Sequence, residues 1–281
     1  MSLFTRFSVG WQIAQNSFKV LRANRQLIVF PILSDIAMIL IMGSFLTVVL
    51  GFAGWDVDNI GKPNDVLSYL GLFAYYIVNY FVIVFFNMAL VHCSSLYFKG
   101  EEVTVRKGID FSMSRIGTIF AWAVLAGSIG AILKIIQENV GTLGKILTGL
   151  VGIVWGIATF FVIPIIAYEN IGPVDALKRS TQLMKEKWGE GIGAGFSFGL
   201  IQLVCFIAIG VVAFLVGTFI HLFAGIALFV LGLLLMATVL SAARTIFVSA
   251  IYHDITGDPV EAYNQAFVDN LFVTKKRKGF F

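Results

Sequence analysis

Six apolar runs, near 27–53, 66–98, 116–136, 146–168, 192–218 and 224–251, leave this chain few folds to choose from. About 20 apolar residues are what an α-helix needs to cross a hydrocarbon core of about 30 Å. No water is there to bond the backbone, so each such run must satisfy its own amides, and a helix does this within one segment. The remaining residues are too few for a separate soluble domain. Apolar residues make up 58% of the chain and charged ones 13%, where soluble proteins carry about a quarter charged. The mean hydropathy of +0.90 says the same. The predicted fold class is all-α: a polytopic integral membrane protein, one transmembrane domain over 1–281, its six helices paired in three hairpins. The run at 66–98 exceeds what a crossing needs and is expected to tilt or project. Only a short turn around Thr218–Ala224, containing His221, parts the last two runs. The run from Leu27 is too long for the apolar core of a cleaved signal and is expected to stay as a span.

Between the runs lie shorter amphipathic stretches, near 3–25, 103–115, 173–189 and 259–272. In the first, Phe4, Phe7, Trp11, Ala14, Phe18 and Leu21 recur at steps of three and four, the spacing of one helical face. In the third, Gly172 is placed to end one helix and Pro173 to open the next, where its missing N–H is not needed. Val174, Leu177, Thr181, Met184 and Trp188 then share a face, with Lys178, Arg179, Lys185 and Glu186 mostly away from it. Helices of this kind suit a membrane surface, apolar stripe inward.

Charge sets the expected orientation. Seventeen of the 20 Lys and Arg fall at the termini, in the second and fourth connections or, as Arg244, towards the C-terminal end of the sixth run; only Lys62, Lys134 and Lys145 lie on the other side. Lys and Arg accumulate on the cytoplasmic side of a membrane. Both termini are therefore expected in the cytoplasm, the protein in the inner (cytoplasmic) membrane, and the loop bearing Asp56, Asp58 and Asp65 outside. The basic tail Lys275–Lys278 would meet anionic headgroups.

An internal repeat also emerges. Gly172-Pro173-Val174-Asp175-Ala176 follows the fourth run, and Gly257-Asp258-Pro259-Val260-Glu261-Ala262 follows the sixth. Three units are expected, each an interfacial helix followed by a hairpin, with a fourth interfacial helix closing the chain.

The catalytic inventory is thin. His92, His221 and His253 show no metal-type spacing, and no nucleophile elbow, zinc-protease or Cys-x-x-Cys pattern occurs. No enzyme activity, cofactor, metal or nucleic-acid partner is expected. Gly189–Gly195 does not follow a strand, so small residues for helix packing explain it better than a phosphate loop. Cys93 and Cys205 read as small buried residues. The polar candidates within the spans are Asp35, Asn79, Asn87, His92 and Arg244, with Glu169 at a cytoplasmic edge. Such groups are costly in a membrane and often functional. Asp35 and Arg244 sit at matching depth and are expected to pair. Pro31 and Pro164 are expected to kink the first and fourth spans.

The stretch Phe161–Gly191, with its Ile-Pro-Ile, Tyr-Glu-Asn and Gly-Pro-Val-Asp-Ala-Leu-Lys-Arg-Ser, resembles a recurring pattern of uncharacterised six-span bacterial and archaeal membrane proteins. It is similar to the membrane domain attached to some glycerophosphodiester phosphodiesterases. There the hydrolytic residues belong to a soluble partner, so no catalytic residue carries over. The resemblance implies a membrane module of the cell envelope with lipid functions, either scaffolding partners and organising lipid or, alternatively, transporting a lipid-like or small amphiphilic molecule. Anionic lipids, a membrane-protein partner or a second copy are the expected partners.

Overall fold

The structure, a computed structural model, describes residues 15–52, 54–56, 66–187 and 193–257. The expectations for 3–14, 259–272, Trp188, Asp58 and the basic tail lie outside these residues. Among the described residues all regular structure is helical. Residues 15–23 are helical, and a 3-10 turn, Arg25–Ile28, leads into α1, Val29–Phe52. Then come α2 (Val66–Phe98), α3 (Val105–Ser114), α4 (Ile116–Asn139), α5 (Gly141–Ala158), α6 (Val162–Glu169), α7 (Pro173–Lys187), α8 (Gly193–Phe219) and α9 (Leu222–Ile255). Six helical segments are long and apolar enough to cross a membrane, α5 and α6 together forming the fourth.

The boundaries follow from local chemistry. Pro31 sits in the first turn of α1, where no amide donor is lost. Gly100 takes φ +71 after α2, and Glu101 N–H returns to the Leu96 carbonyl at 2.9 Å, the closure that a left-handed glycine permits. His221 starts α9: its Nδ1 accepts the Phe223 N–H at 3.3 Å. The end of α6 differs from expectation. Asn170, not Gly172, takes the left-handed conformation (φ 52°, ψ 40°), because Asn tolerates it and stands directly after the last helical residue. Gly172 instead begins α7, its carbonyl accepting the Ala176 N–H at 2.9 Å.

The described residues fall into two compact units. One comprises Ile32–His92 and Val105–Gln182; its core gathers Val84, Met88–Val91, Ile119, Trp122, Phe161–Val162 and Ile165–Ala167. Close approach of α2 and α4 depends on Gly127, where a Cβ would lie 3.1 Å from the Ile77 amide nitrogen. Trp122 and Trp155 stack at 5.9 Å between α4 and α5. The other unit comprises residues 15–31, Cys93–Thr104 and the chain from Leu183 onward. Here α8 and α9 pack as a hairpin so tight that a Cβ on Gly225 would lie 2.6 Å from the Gly217 Cα and the Ala213 carbonyl. Its core is the last third of α9, Ala242–Ala243 and Ile246–Phe247 through Tyr252, together with Leu27 and Phe30.

Candidate functional site

In the first unit the polar side chains gather where α2, α3, α6 and α7 meet, and they are spent on backbone. Ser112 Oγ on α3 donates to the Phe85 carbonyl of α2 at 2.9 Å, using the lone pair that a helical carbonyl keeps free. Tyr168 on α6 donates its hydroxyl to the Val91 carbonyl at 3.0 Å. His92 lies flat on Phe111, ring centroids 3.9 Å apart and planes within 1°. The Arg115 guanidinium lies 5.8 Å from the centre of the same Phe111 ring, within cation–π range.

The sharpest feature is the break in the fourth span. Pro164 has no N–H, and its ring collides with the carbonyl four residues earlier, so a helix cannot run through Phe160. α5 ends at Ala158, residues 159–161 turn, and α6 starts at Val162. The turn is tightened: Phe160 N–H reaches Ile157 at 3.3 Å and Val162 N–H reaches Thr159 at 3.1 Å. The group left over is the Phe161 N–H, buried with its side chain wholly inside. It donates to Ser180 Oγ on α7 at 3.0 Å. One residue away, Arg179 Nε meets Glu169 Oε1 at 3.3 Å, the two side chains 37% and 28% exposed. α7 is thus fastened to the broken span at two neighbouring points.

Ser180 belongs to a pattern that sequence reading passed over. Three of the short helices in the described chain bury a serine completely: Ser17 in residues 15–23, Ser112 in α3 and Ser180 in α7. A small residue one turn earlier, Gly108 or Ala176, is buried beside the latter two. Hydropathy counts a serine as polar surface, so the signal lay in spacing, small-x-x-x-Ser, rather than in apolarity. The face of α7 that packs inward is accordingly Ala176, Ser180, Leu183 and Met184. Of the expected apolar stripe, Met184 belongs to this buried face, whereas Val174 is 52% exposed and Leu177 and Thr181 are half-buried beside it.

The remaining candidates are scattered. Asn87 is half-buried on α2 and Asp35 half-buried on α1, while Glu169 caps the end of α6 against Arg179. Asn79 is buried in α2, its Nδ2 donating to the Tyr75 carbonyl at 2.7 Å. Arg244 belongs to the other unit. Expected to be buried, it is exposed, with its guanidinium 5.9 Å from the Phe198 ring centre, because the long side chain reaches an aromatic face on α8 instead of remaining inside. Cys93 is buried, as its reading as a small core residue requires, and Cys205 is half-buried. Among the described residues no group of three metal-ligating side chains occurs.

A helical, multi-pass membrane protein whose polar side chains tie short helices to spanning ones is the class that this fold defines. Residues 66–259 match a family of unknown function, DUF6159, and the chain belongs to that family. Among curated proteins none matches it.

Proposed function

We propose that this protein is a non-enzymatic module of the cytoplasmic membrane that organises lipid and scaffolds partners, with both termini in the cytoplasm. The observation that carries this reading is the clamp just described. Ser112, Tyr168, Ser180 and Arg179 bond α3, α6 and α7 to their neighbours. Polar residues used in this way build a fixed platform of short helices. The distribution of Lys and Arg supports placing that platform on the cytoplasmic side. The two Gly-Pro-Val-acid-type segments support a repeated unit of short helix and hairpin, and the Phe161–Gly191 pattern, read in the sequence as resembling a membrane domain attached to some glycerophosphodiester phosphodiesterases, is consistent with a lipid role. Anionic phospholipid is the expected partner, followed by a membrane protein or a second copy.

One observation favours transport of an amphiphile instead: a span interrupted at 159–161, since broken helices line the sites of many transporters. Here, however, the freed amide is consumed by Ser180, which argues for a fixed joint.

The test is extraction of the full chain in native lipid nanodiscs, followed by mass spectrometry of what is retained. Enrichment of anionic phospholipid over the bulk membrane, or a stoichiometric protein partner, is the expected result. Retained lipid identical to bulk, with no partner, overturns the reading. Protein-dependent movement of labelled phospholipid between leaflets of proteoliposomes, lost in Pro164→Ala, replaces it with transport.

A further inference from the structure

α7 divides lengthwise into sectors whose order around the helix identifies what lies against its exposed side. At about 100° per residue, the buried residues Ala176, Ser180, Leu183 and Met184 occupy one arc. Continuing in one direction come Leu177, Thr181 and Val174, half-buried to exposed. Thr181 counts as apolar here, because its hydroxyl donates to the Leu177 carbonyl at 2.8 Å and leaves the methyl group outward. Next come Lys185 and Lys178, both exposed. Past the lysines come Gln182 and Asp175, exposed, and then Arg179, turned to Glu169 and furthest from the apolar arc. Lys178 and Lys185 border the apolar arc, and Asp175 borders neither the arc nor the buried face.

This order fits one environment. A helix lying in a membrane interface needs an apolar arc towards the acyl chains and long cationic side chains along its rim, able to rise to the phosphates. Acidic and amide groups belong on the water side. The Asp175–Lys178 contact, 3.3 Å with both side chains about seven-tenths exposed, is a solvated pair of little strength and does not hold Lys178 from a phosphate. A soluble protein partner would have no need for both lysines along one border.

We infer that the Val174–Leu177–Thr181 arc of α7 is a membrane-docking surface and that Lys178 and Lys185 select anionic phospholipid headgroups at its edge. The inference rests on the lipid-organising reading and names its surface and lipid class.

Two measurements on the full chain test it. In nanodiscs of phosphatidylcholine mixed with phosphatidylglycerol, nitroxides are placed at 174, 177 and 182 in a Cys93→Ala, Cys205→Ala background. Relaxation by oxygen should exceed relaxation by a soluble nickel chelate at 174 and 177, with the reverse at 182. Stronger nickel relaxation at 174 and 177 marks a water-exposed or protein-binding face and overturns the proposal. So does dipolar broadening between labels at 174 that disappears on dilution with unlabelled protein, which marks a second copy. Should the cysteine-free background not fold, the second measurement decides alone. Lys178→Gln with Lys185→Gln, otherwise wild type, should weaken the preference for phosphatidylglycerol about fivefold per lysine and roughly thirtyfold together at low salt. An unchanged preference refutes the surface while leaving the lipid-organising reading standing. No preference in the wild type removes both.

Discussion

Replacing Ser180 by Ala removes one oxygen and orphans one amide. Phe161 and Ser180 are both fully buried, and the N–H to Oγ distance is 3.0 Å. No water replaces the lost acceptor, and the Ser→Ala volume change is too small to add much cavity cost. A buried donor left unsatisfied costs about 1–3 kcal/mol, whereas side-chain hydrogen bonds in membrane proteins average about 0.6 kcal/mol when both partners can find alternatives. The Phe161 amide loses its Ser180 acceptor while Pro164 holds the break open, so a loss of about 1–2 kcal/mol is expected. The decisive variant is Pro164→Ala. With an N–H at 164 and no ring against the Phe160 carbonyl, the helix can run through, and Phe161 N–H can return to Ile157. In that background Ser180→Ala should cost about 0.6 kcal/mol or less, in line with the membrane average. SDS-driven unfolding in mixed micelles, followed by tryptophan fluorescence, gives all four corners of the cycle. Equal costs in both backgrounds would show that the bond is not the answer to the proline break, and the reasoning would fail.

Other outcomes follow from the same structure. Ser112→Ala should cost less, about 0.5–1.5 kcal/mol, because the Phe85 carbonyl keeps its helical partner; the same unfolding titration reads it. Gly225→Ala forces a methyl within 2.6 Å of backbone and should separate the α8–α9 hairpin, costing about 1–3 kcal/mol or more and lowering the thermal midpoint in detergent. Arg244→Gln should lose only about 0.5–1 kcal/mol, the value of an exposed cation–π contact; a loss several times larger would show a buried charge partner. Cysteines placed at Asp56 and Gln182, both exposed, should react with impermeant maleimide from the outside and inside respectively; the opposite pattern inverts the proposed orientation.

The spans were legible because their signal is length and apolarity, which packing cannot override inside a membrane. Caps were partly legible: Pro173 falls in the first turn of α7 as its missing N–H requires, but the left-handed residue was Asn170, a choice between two tolerant residues two positions apart. The packing face of α7 was only partly legible from apolar periodicity. That periodicity marks Val174, Leu177, Thr181 and Met184, of which Met184 alone is buried, whereas helices approach closely through small residues such as Ala176 and Ser180. The joint at Phe161 was hidden for a different reason. Proline acts on the turn before it, so the residue that needs a partner stands three positions upstream, and its partner lies 19 residues further along the chain.

That separation has a consequence for how the protein is made. The residues of the fourth span are joined before Ser180 is added, and they carry one amide that is bonded only once α7 has packed against the break. At about 5–20 residues per second, the 19 residues from Val162 to Ser180 take roughly 1–4 s to synthesise. During that time the break is poorly suited to hydrocarbon, where an unbonded amide costs several kcal/mol. Entry of the lower part of this span into lipid is therefore tied to the arrival of α7, and a chain stopped between Gly172 and Arg179 should leave residues 159–161 accessible to water-borne reagents.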